Sequence, residues 1–393
     1  MTTSLPRQDR IRRAIELLRN DTTDKFDEVV DFEAHEFTDP VLAQEERDFI
    51  FGRVPSIIAH STEIGKPYDF ITIAMPRNNI IAVRQKDGSV RTFVNLCRHR
   101  GAMLETQEKG RCRFFSCPYH RWSYDPDGKL RTITRDNTFG EVDRTEHGLV
   151  EIPCEERHGF IWVVDNAHAD IDVASWLGPE MDAILAGYQL DKLVSFRAAG
   201  FDEPTNWKIM QDAFLDGYHI QYAHPNTAGK VIHTNVMAFE DFGRHLRFIA
   251  PRKTIDRWLE EDPGDTPLDD YVTETHFLLP NSTLLRQPDH FQLLTFRPHP
   301  TDPTKSRMEQ RLMVPPLEES GMEEERWNRR WEKNWDILLA VLHNEDFPLL
   351  RNSQTGMGSA DAGKMLLGRN ETANQLFRRE TKKLLAEGRA AAK

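Results

Sequence analysis

The sequence has little of several features that mark other classes of protein. Only four of its 393 residues are cysteines, which argues against a scaffold held together by disulfides. No apolar run reaches the roughly 18 residues that a membrane span requires. The N-terminal stretch MTTSLPRQDRIRRAIELLRND also lacks the apolar core of a signal peptide. A formal net charge of −12 argues against nucleic acid or an anionic membrane as a partner. We therefore expect a cytoplasmic protein.

The composition and the order of patterns predict two folded domains of different type. The hydrophobic fraction is 39% and the charged fraction is 29%, which is typical of a globular protein with a sizeable core. Residues 46–166 consist of short strand-like runs separated by turn signals such as DPDG, which predicts an all-β domain. In residues 167–393, helical segments accompany runs typical of antiparallel strands, so the overall fold class is α+β. Residues 1–45 are predicted to form a helical segment that packs on the second domain.

Two helices are predicted near the C-terminus. The stretch Glu323–Glu345 places three tryptophans and three leucines on one helical face, which we interpret as core packing. The stretch Arg369–Lys393 is a charged helix with a thin apolar stripe, and it is a candidate intersubunit element. Earlier in the chain, apolar residues three or four apart give Pro204–Ala223 helical character.

The first group of candidate ligands is a pair of short cysteine–histidine motifs. The sequence NLCRHRGA contains Cys97 and His99, and FSCPYHRWSY contains Cys117 and His120. Two such loops side by side can hold one [2Fe–2S] cluster, with the thiolates on one iron and the imidazoles on the other, as in a Rieske centre. A structural Cys₂His₂ zinc site is the alternative, although zinc fingers usually pair like residues on one element.

The other two cysteines have no histidine at ligand spacing. Cys112 and Cys154 are therefore predicted to be small buried hydrophobic residues.

The second group of candidate ligands is more widely spaced. His219 and His224 are five residues apart, which a regular helix places on different faces, but a helix that ends there can bring both to one metal. Two histidines and one carboxylate can hold Fe(II) and leave positions open for O₂ and substrate. Asp346, two residues before Pro348, is the candidate carboxylate, and the adjacent Glu345 is its rival.

These motifs together resemble a known family. CRHRGA followed by CPYHRWSYDPDGKL resembles the Rieske domain of the aromatic-ring-hydroxylating oxygenases. NWK, then DGYH with a second histidine five residues on, then ED with a glutamine eight residues on, resemble the catalytic domain of the same family. The resemblance extends over about Asp48–Gly358, and it implies a β-sandwich Rieske domain followed by a helix-grip catalytic domain.

The resemblance also implies roles for individual residues. It implies that His219, His224 and Asp346 bind a mononuclear Fe(II). It implies that Asp216 bridges, by hydrogen bonds, His219 and a Rieske histidine, for which His120 is the candidate. Family members are usually head-to-tail trimers, so a trimer or a multiple of three is expected, with the cluster of one subunit near the iron of the next.

The implied function is that of a terminal oxygenase acting on a small apolar or aromatic compound. The reaction would be cis-dihydroxylation or monooxygenation, including demethylation. Since the chain lacks a G-x-G-x-x-G fingerprint, its electrons would come from a separate NAD(P)H-dependent flavin reductase, with or without a ferredoxin. A Rieske-type electron carrier without oxygenase activity is the alternative. Candidate pocket walls, for each of which plain core packing is the preferred interpretation, are Met210, Phe214, Met237, Phe239, Phe277, Leu279 and Phe291.

Overall fold

The structure, a computed structural model, describes residues 7–262, 264 and 269–392. In these ranges the helices are α1 (Arg7–Arg19), α2 (Pro40–Glu46), α3 (Val173–Gly187), α4 (Trp207–Asp212), α5 (Ile220–Ala223), α6 (Leu317–Ser320), α7 (Glu324–Val341), α8 (Phe347–Met357) and α9 (Thr372–Ala391). Residues 1–6 of the predicted N-terminal segment and Lys393 of the predicted C-terminal helix lie outside the described residues. No helix in the described ranges is long and apolar enough to cross a membrane.

The strands of the described residues fall into five antiparallel sheets. They are β1 (Val30–Glu33), β2 (Ser56–His60), β3 (Asp69–Ala74), β4 (Asn79–Arg84), β5 (Val90–Val94), β6 (Lys109–Arg111), β7 (Phe115–Ser116), β8 (Ser123–Tyr124), β9 (Leu130–Thr132), β10 (Glu151–Ile152), β11 (Cys154–Arg157), β12 (Phe160–Val163), β13 (Val194–Glu203), β14 (Ala238–Asp241), β15 (Leu246–Pro251), β16 (Val272–Leu278), β17 (Ser282–Arg286), β18 (Phe291–Pro298), β19 (Ser306–Val314) and β20 (Lys364–Leu367). β1 pairs only with β20.

The first domain is built from three small sheets, as the short strand-like runs predict. A five-stranded sheet of order β10-β5-β4-β3-β6 lies between sheets of order β11-β12-β2 and β7-β8-β9. Alternation along β3 explains this layering, because successive side chains of a strand point to opposite faces. Phe70 packs in the same core as the loops that carry Cys97 and Cys117, whereas Ile71 and Ile73 pack against the other sheet.

The second domain contains a seven-stranded antiparallel sheet of order β13-β19-β18-β17-β16-β15-β14. One face of the sheet is covered by α3 and by the first domain; for example, Arg311 Nη2 donates to the carbonyl of Ile58 at 2.5 Å. On the opposite face, Trp331 and Trp335 of α7 pack on Leu312. Their burial agrees with the core packing that the tryptophan stripe predicts, and the α+β class with a helix-covered antiparallel sheet is confirmed.

The helices near the two chain ends pack on the second domain. Ile11 and Ile15 of α1 share a core with residues of β14 and β15. Phe377 of α9 is 1% exposed and contacts the rings of Trp207 and Phe277, with centroid distances of 5.6 and 5.3 Å. The expectation that the C-terminal helix is an intersubunit element is therefore wrong for its apolar stripe, which is buried within its own chain.

Candidate metal centres

The two cysteine–histidine loops have the same backbone construction. Cys97 follows β5, and Cys117 follows β7 directly. In each loop the N–H four residues after the cysteine donates to the cysteine carbonyl, from Gly101 at 2.9 Å and from Arg121 at 3.0 Å. Both donor residues have a positive φ, +74° and +59°, which glycine adopts freely and arginine at some cost in strain. The fold thus presents two matched turns side by side.

The four side chains of these loops separate into a thiol pair and an imidazole pair. Cys97 and Cys117 are each 2% exposed, and their thiols lie close enough to interact. The rings of His99 and His120 have centroids 4.7 Å apart. His120 Nδ1 is buried and has no hydrogen-bond partner, as expected of a nitrogen that binds metal. A thiol pair beside an imidazole pair matches the ligands of a Rieske [2Fe–2S] cluster, with two thiolates on one iron and two imidazoles on the other.

Aromatic side chains cover the two histidines. The indole of Trp122 stacks on His99 with a centroid distance of 4.9 Å and an interplanar angle of 9°. The ring of Tyr119 stacks on His120 at 3.9 Å and is itself 59% exposed. Trp122 therefore shields His99, while an exposed aromatic ring lies over His120.

A hydroxyl that the sequence did not single out lies beside the first thiol. The Tyr124 hydroxyl oxygen is 3.4 Å from Cys97 Sγ, and it accepts a hydrogen bond from the backbone N–H of Arg98 at 3.0 Å. Because that oxygen is already an acceptor, its own hydrogen is free to point to the sulfur. Burial is the main cause that raises the pKa of the Cys97 thiol, so the free thiol is protonated and metal binding would displace its proton.

The remaining two cysteines are half-buried rather than buried. Cys112 packs beside the core around the cysteine–histidine loops, and burial raises its pKa to about 11. Cys154 lies on β11, and its sulfur is 3.4 Å from the Val90 carbonyl. Neither has the exposure and low pKa of a reactive thiol, which agrees with a packing role.

The second group of candidate ligands converges on one point. One ligand atom each from His219, His224 and Asp346 lies within 4.8 Å of the other two, and no second group of this kind occurs among the described residues. The local chain explains the convergence. α4 ends at Asp212, and α5 is a single turn with the two histidines as its caps, so the five-residue spacing does not follow a continuous helix.

Each of the two histidines is held at Nδ1 by a carboxylate. Asp216 Oδ1 is 2.9 Å from His219 Nδ1 and also accepts the backbone N–H of His219 at 3.0 Å. Glu345 Oε2 is 2.7 Å from His224 Nδ1 and accepts the Thr227 hydroxyl at 2.6 Å. This arrangement fixes the ring orientation and leaves both Nε2 atoms for a metal.

The two adjacent carboxylates Glu345 and Asp346 lie on different sides of His224. Asp346 Oδ1 is 3.2 Å from His224 Nε2, whereas Glu345 is bonded to Nδ1. Both belong to a π-helical turn, Leu342–Asp346, that joins α7 to α8. Turns of this kind are frequent at functional sites. The sequence considered Glu345 only as a rival ligand and missed its contact with His224.

Neighbouring charges raise the pKa of both histidines. Burial opposes protonation of His219, but the hydrogen bond and charge of Asp216 outweigh it and raise the pKa. Burial likewise opposes protonation of His224, and Asp346 and Glu345 outweigh it. Without a metal, the carboxylates therefore favour protonation of the two histidines. A divalent cation bound by the same residues also supplies positive charge. Asp212, the last residue of α4, pairs with Arg378 of α9 and is not part of this group.

A cavity of about 490 Å³ opens beside these ligands. The register of the seven-stranded sheet determines the floor of this cavity. Phe248 pairs with Thr275, Thr275 with Leu285, and Leu285 with Gln292. The four side chains therefore lie on one face of the sheet. Other apolar lining residues are Phe214, Ile220, Val231, Ile232, Ile337, Leu338 and Val341.

Most of the pocket walls expected from the sequence are core residues. Among those candidates only Phe214 lines the cavity. Met210, Met237, Phe277 and Leu279 belong to the main core cluster, and Phe239 and Phe291 pack against or within it. The walls of this cavity come mainly from residues brought together by strand register and by α7, which the local pattern did not reveal.

Comparison with known proteins gives matches for both domains. A family model for the ring hydroxylating alpha subunit (catalytic domain) matches residues 190–387, and one for the Rieske [2Fe-2S] domain matches residues 55–145. The chain is 30% identical over 202 residues to the anthranilate 1,2-dioxygenase large subunit of Acinetobacter baylyi. It is 34% identical over 200 residues to the glycine betaine monooxygenase oxygenase subunit of Chromohalobacter salexigens.

The extent of these matches differs between sequence and structure. Each of the two sequence matches covers 50% of this chain and 43% of the relative, so the chain spans less than half the length of these curated relatives. A crystal structure of the quaternary ammonium Rieske monooxygenase CntA with an inhibitor superimposes with a TM-score of 0.75. That match covers 90% of this chain and 94% of the other at 20% identity, which shows a shared fold.

Proposed function

The chain belongs to the ring-hydroxylating alpha-subunit family of Rieske oxygenases, and we propose that it is the terminal oxygenase component of such a system. Its two domains are those that bind a [2Fe–2S] cluster and a mononuclear non-haem iron. The proposed reaction is hydroxylation of a small, apolar, aromatic compound with O₂, either as cis-dihydroxylation or as monooxygenation including demethylation. The reducing equivalents come from a separate protein.

One observation carries this proposal: His219, His224 and Asp346 converge at the wall of a largely apolar cavity. Three protein ligands leave the remaining positions of an iron open toward that cavity. When bound, the mononuclear iron supplies O₂ chemistry and the cluster supplies single electrons. An electron carrier requires neither the cavity nor the second group of ligands.

We assign the other site residues by their contacts. Cys97 and Cys117 would hold one iron of the cluster, and His99 and His120 the other. Asp216 would keep His219 in the orientation that binds iron.

The path between the two centres is proposed to cross a subunit interface. Asp216 of one subunit would bond His120 of the next in a trimer or a multiple of three. Exposed aromatic rings lie beside each of these residues and support the idea of a contact: Tyr119 over His120, and Tyr218, 52% exposed, two residues after Asp216. The electron donor would be an NAD(P)H-dependent flavin reductase, with or without a ferredoxin, in the cytoplasm.

We propose the domain limits on the same basis. Residues 46–166 would form the Rieske domain, because they contain β2–β12. Residues 167–393 would form the catalytic domain, on which the N-terminal segment 1–45 packs through α1.

Single-turnover oxygenation tests the proposed function without requiring the natural reductase. Purified enzyme with both metal centres is reduced chemically, mixed with ¹⁸O₂ and a panel of aromatic compounds, and its products are examined by mass spectrometry. We expect ¹⁸O in an organic product from the wild type and none from Asp346→Ala. Absence of labelled product with every compound, despite full iron content and a reducible cluster, would favour an electron carrier.

A further inference from the structure

The cavity beside the candidate iron ligands is polar at the metal site itself. It also has a second polar end. Arg252, Thr273 and Gln287 line the cavity beyond Phe248, Thr275 and Leu285 of its floor. Ala250 pairs with Thr273, two residues along each strand from the pair Phe248–Thr275. Thr275 in turn pairs with Leu285, so Arg252, Thr273 and Gln287 follow these floor residues along their strands. Other polar residues line this region: His290, Gln292 and Asn334.

Residues of the metal site and residues of the second polar end line the same cavity. The amide of Gln211 on α4 donates to Thr283 at 2.7 Å, so the helix before the iron ligands lies over the row of Thr283. Gln287 is four residues further along the same chain segment, or about 13 Å at the rise of an antiparallel strand. Leu285 lies between the rows of Thr283 and Gln287 and lines the cavity with Phe248, so a ligand that fills the cavity needs an apolar part there.

The guanidinium of Arg252 is incompletely paired with the groups around it in the described part of the chain. Its Nε is buried and has no hydrogen-bond partner, and the one side-chain bond of its guanidinium is a long one, 3.4 Å from Nη2 to Gln287 Oε1. Among the described residues no carboxylate lies within 4.0 Å of it. The nearby Asp289 is bonded to His290 at 2.7 Å and pairs with Arg330. Burial lowers the pKa of Arg252, which reflects this incomplete compensation.

The chemistry of this end selects an anion over a cation. A cationic head group needs carboxylates or an aromatic cage, but the carboxylates lining the described cavity are Asp216 and Asp346, beside the metal site. Gln287 Oε1 faces Arg252 and Thr273, so its NH₂ group remains a donor for a ligand. A planar carboxylate matches the fork of a guanidinium.

We propose that the cavity binds aromatic carboxylates, with the carboxylate on Arg252 and the ring over the apolar floor toward the iron ligands. This substrate class rests on the proposed oxygenase function. Arg252 would be a specificity-determining residue that contacts the carboxylate of the substrate.

Anaerobic binding to the enzyme with both metal centres tests the proposal. Benzoate, 2-naphthoate and biphenyl-4-carboxylate are compared with their carboxamides by isothermal titration calorimetry. We expect at least one acid to bind about tenfold or more tightly than its amide, because a charged hydrogen-bonded pair is lost in the amide. Arg252→Gln should abolish this preference, and Arg252→Lys should retain part of it. Arg257→Gln is the matched control, since Arg257 lies over the ring of Trp258.

Visible spectra and iron content verify that each variant is assembled. The proposal is wrong if no acid binds more tightly than its amide to the wild type, or if the preference survives in assembled Arg252→Gln. If Arg252→Gln fails to fold, the comparison of acids with amides on the wild type still tests the proposal. Binding is measured without O₂ and therefore requires no turnover. If the enzyme is an active oxygenase but does not prefer acids to their amides, only the role of Arg252 is refuted. A chain that prefers acids but oxygenates nothing would refute only the proposed function.

Discussion

Replacement of Tyr124 by phenylalanine should lower the reduction potential of the Rieske cluster. The substitution removes a hydroxyl 3.4 Å from Cys97 Sγ and leaves the buried ring in place. A hydrogen bond to a ligand sulfur favours the reduced cluster, which carries more negative charge. A bond to a charged group contributes about 1.5–3 kcal/mol. If about half of that distinguishes the two oxidation states, the change is about 0.75–1.5 kcal/mol, or about 30–65 mV for one electron.

A redox titration followed by visible absorbance and EPR measures this change directly. Tyr119→Phe is the matched control, because it removes an exposed tyrosine hydroxyl from a ring that stacks on His120. Its potential should shift by less than about 10 mV. A potential in Tyr124→Phe equal to that of the wild type, with the cluster intact, would refute the reasoning. Either the hydroxyl does not donate to Cys97, or Cys97 does not bind the cluster.

Further substitutions test the other parts of the account. Cys97→Ala should give colourless protein without a Rieske EPR signal, whereas Cys112→Ala should keep both; a normal cluster in Cys97→Ala would contradict the ligand assignment. Asp216→Asn should retain both metal centres and accept electrons, but its pre-reduced cluster should reoxidise far more slowly with O₂ and substrate; an unchanged rate would leave Asp216 a packing residue. Trp335→Ala removes an indole that is 1% exposed and should lower the free energy of unfolding by about 3–5 kcal/mol. Chemical denaturation followed by circular dichroism measures this change, and a loss below about 1 kcal/mol would show that the tryptophan stripe is not core.

The parts of the fold that the sequence predicted correctly depend on short-range patterns. Alternation along strands such as FITIA and the turn signal DPDG predict the all-β domain, and the tryptophan stripe predicts the buried face of α7. The cysteine–histidine motifs likewise keep their ligands within a few residues. In such cases the chain itself fixes which side chains are neighbours.

The remainder of the site depends on long-range contacts. The walls Phe248 and Leu285 share the cavity floor through the register of β15–β17, which no local pattern encodes. The contact between Glu345 and His224 joins residues 121 positions apart. Adjacent carboxylates at a candidate metal site could have suggested that one binds the metal and the other a histidine. The apolar stripe of α9 does not reveal whether its partner is the same chain or another.

The iron content of Asp346→Ala, measured beside that of Glu345→Gln, tests the central claim most directly. The wild type should contain about three iron atoms per chain, two in the cluster and one at the histidine–carboxylate site. Asp346→Ala should contain about two, with an unchanged Rieske spectrum, because only the mononuclear site loses a ligand. Glu345→Gln keeps an oxygen for His224 Nδ1 and should retain all three. Full iron content in Asp346→Ala would contradict the account, and loss of one iron in Glu345→Gln alone would transfer the ligand role to Glu345.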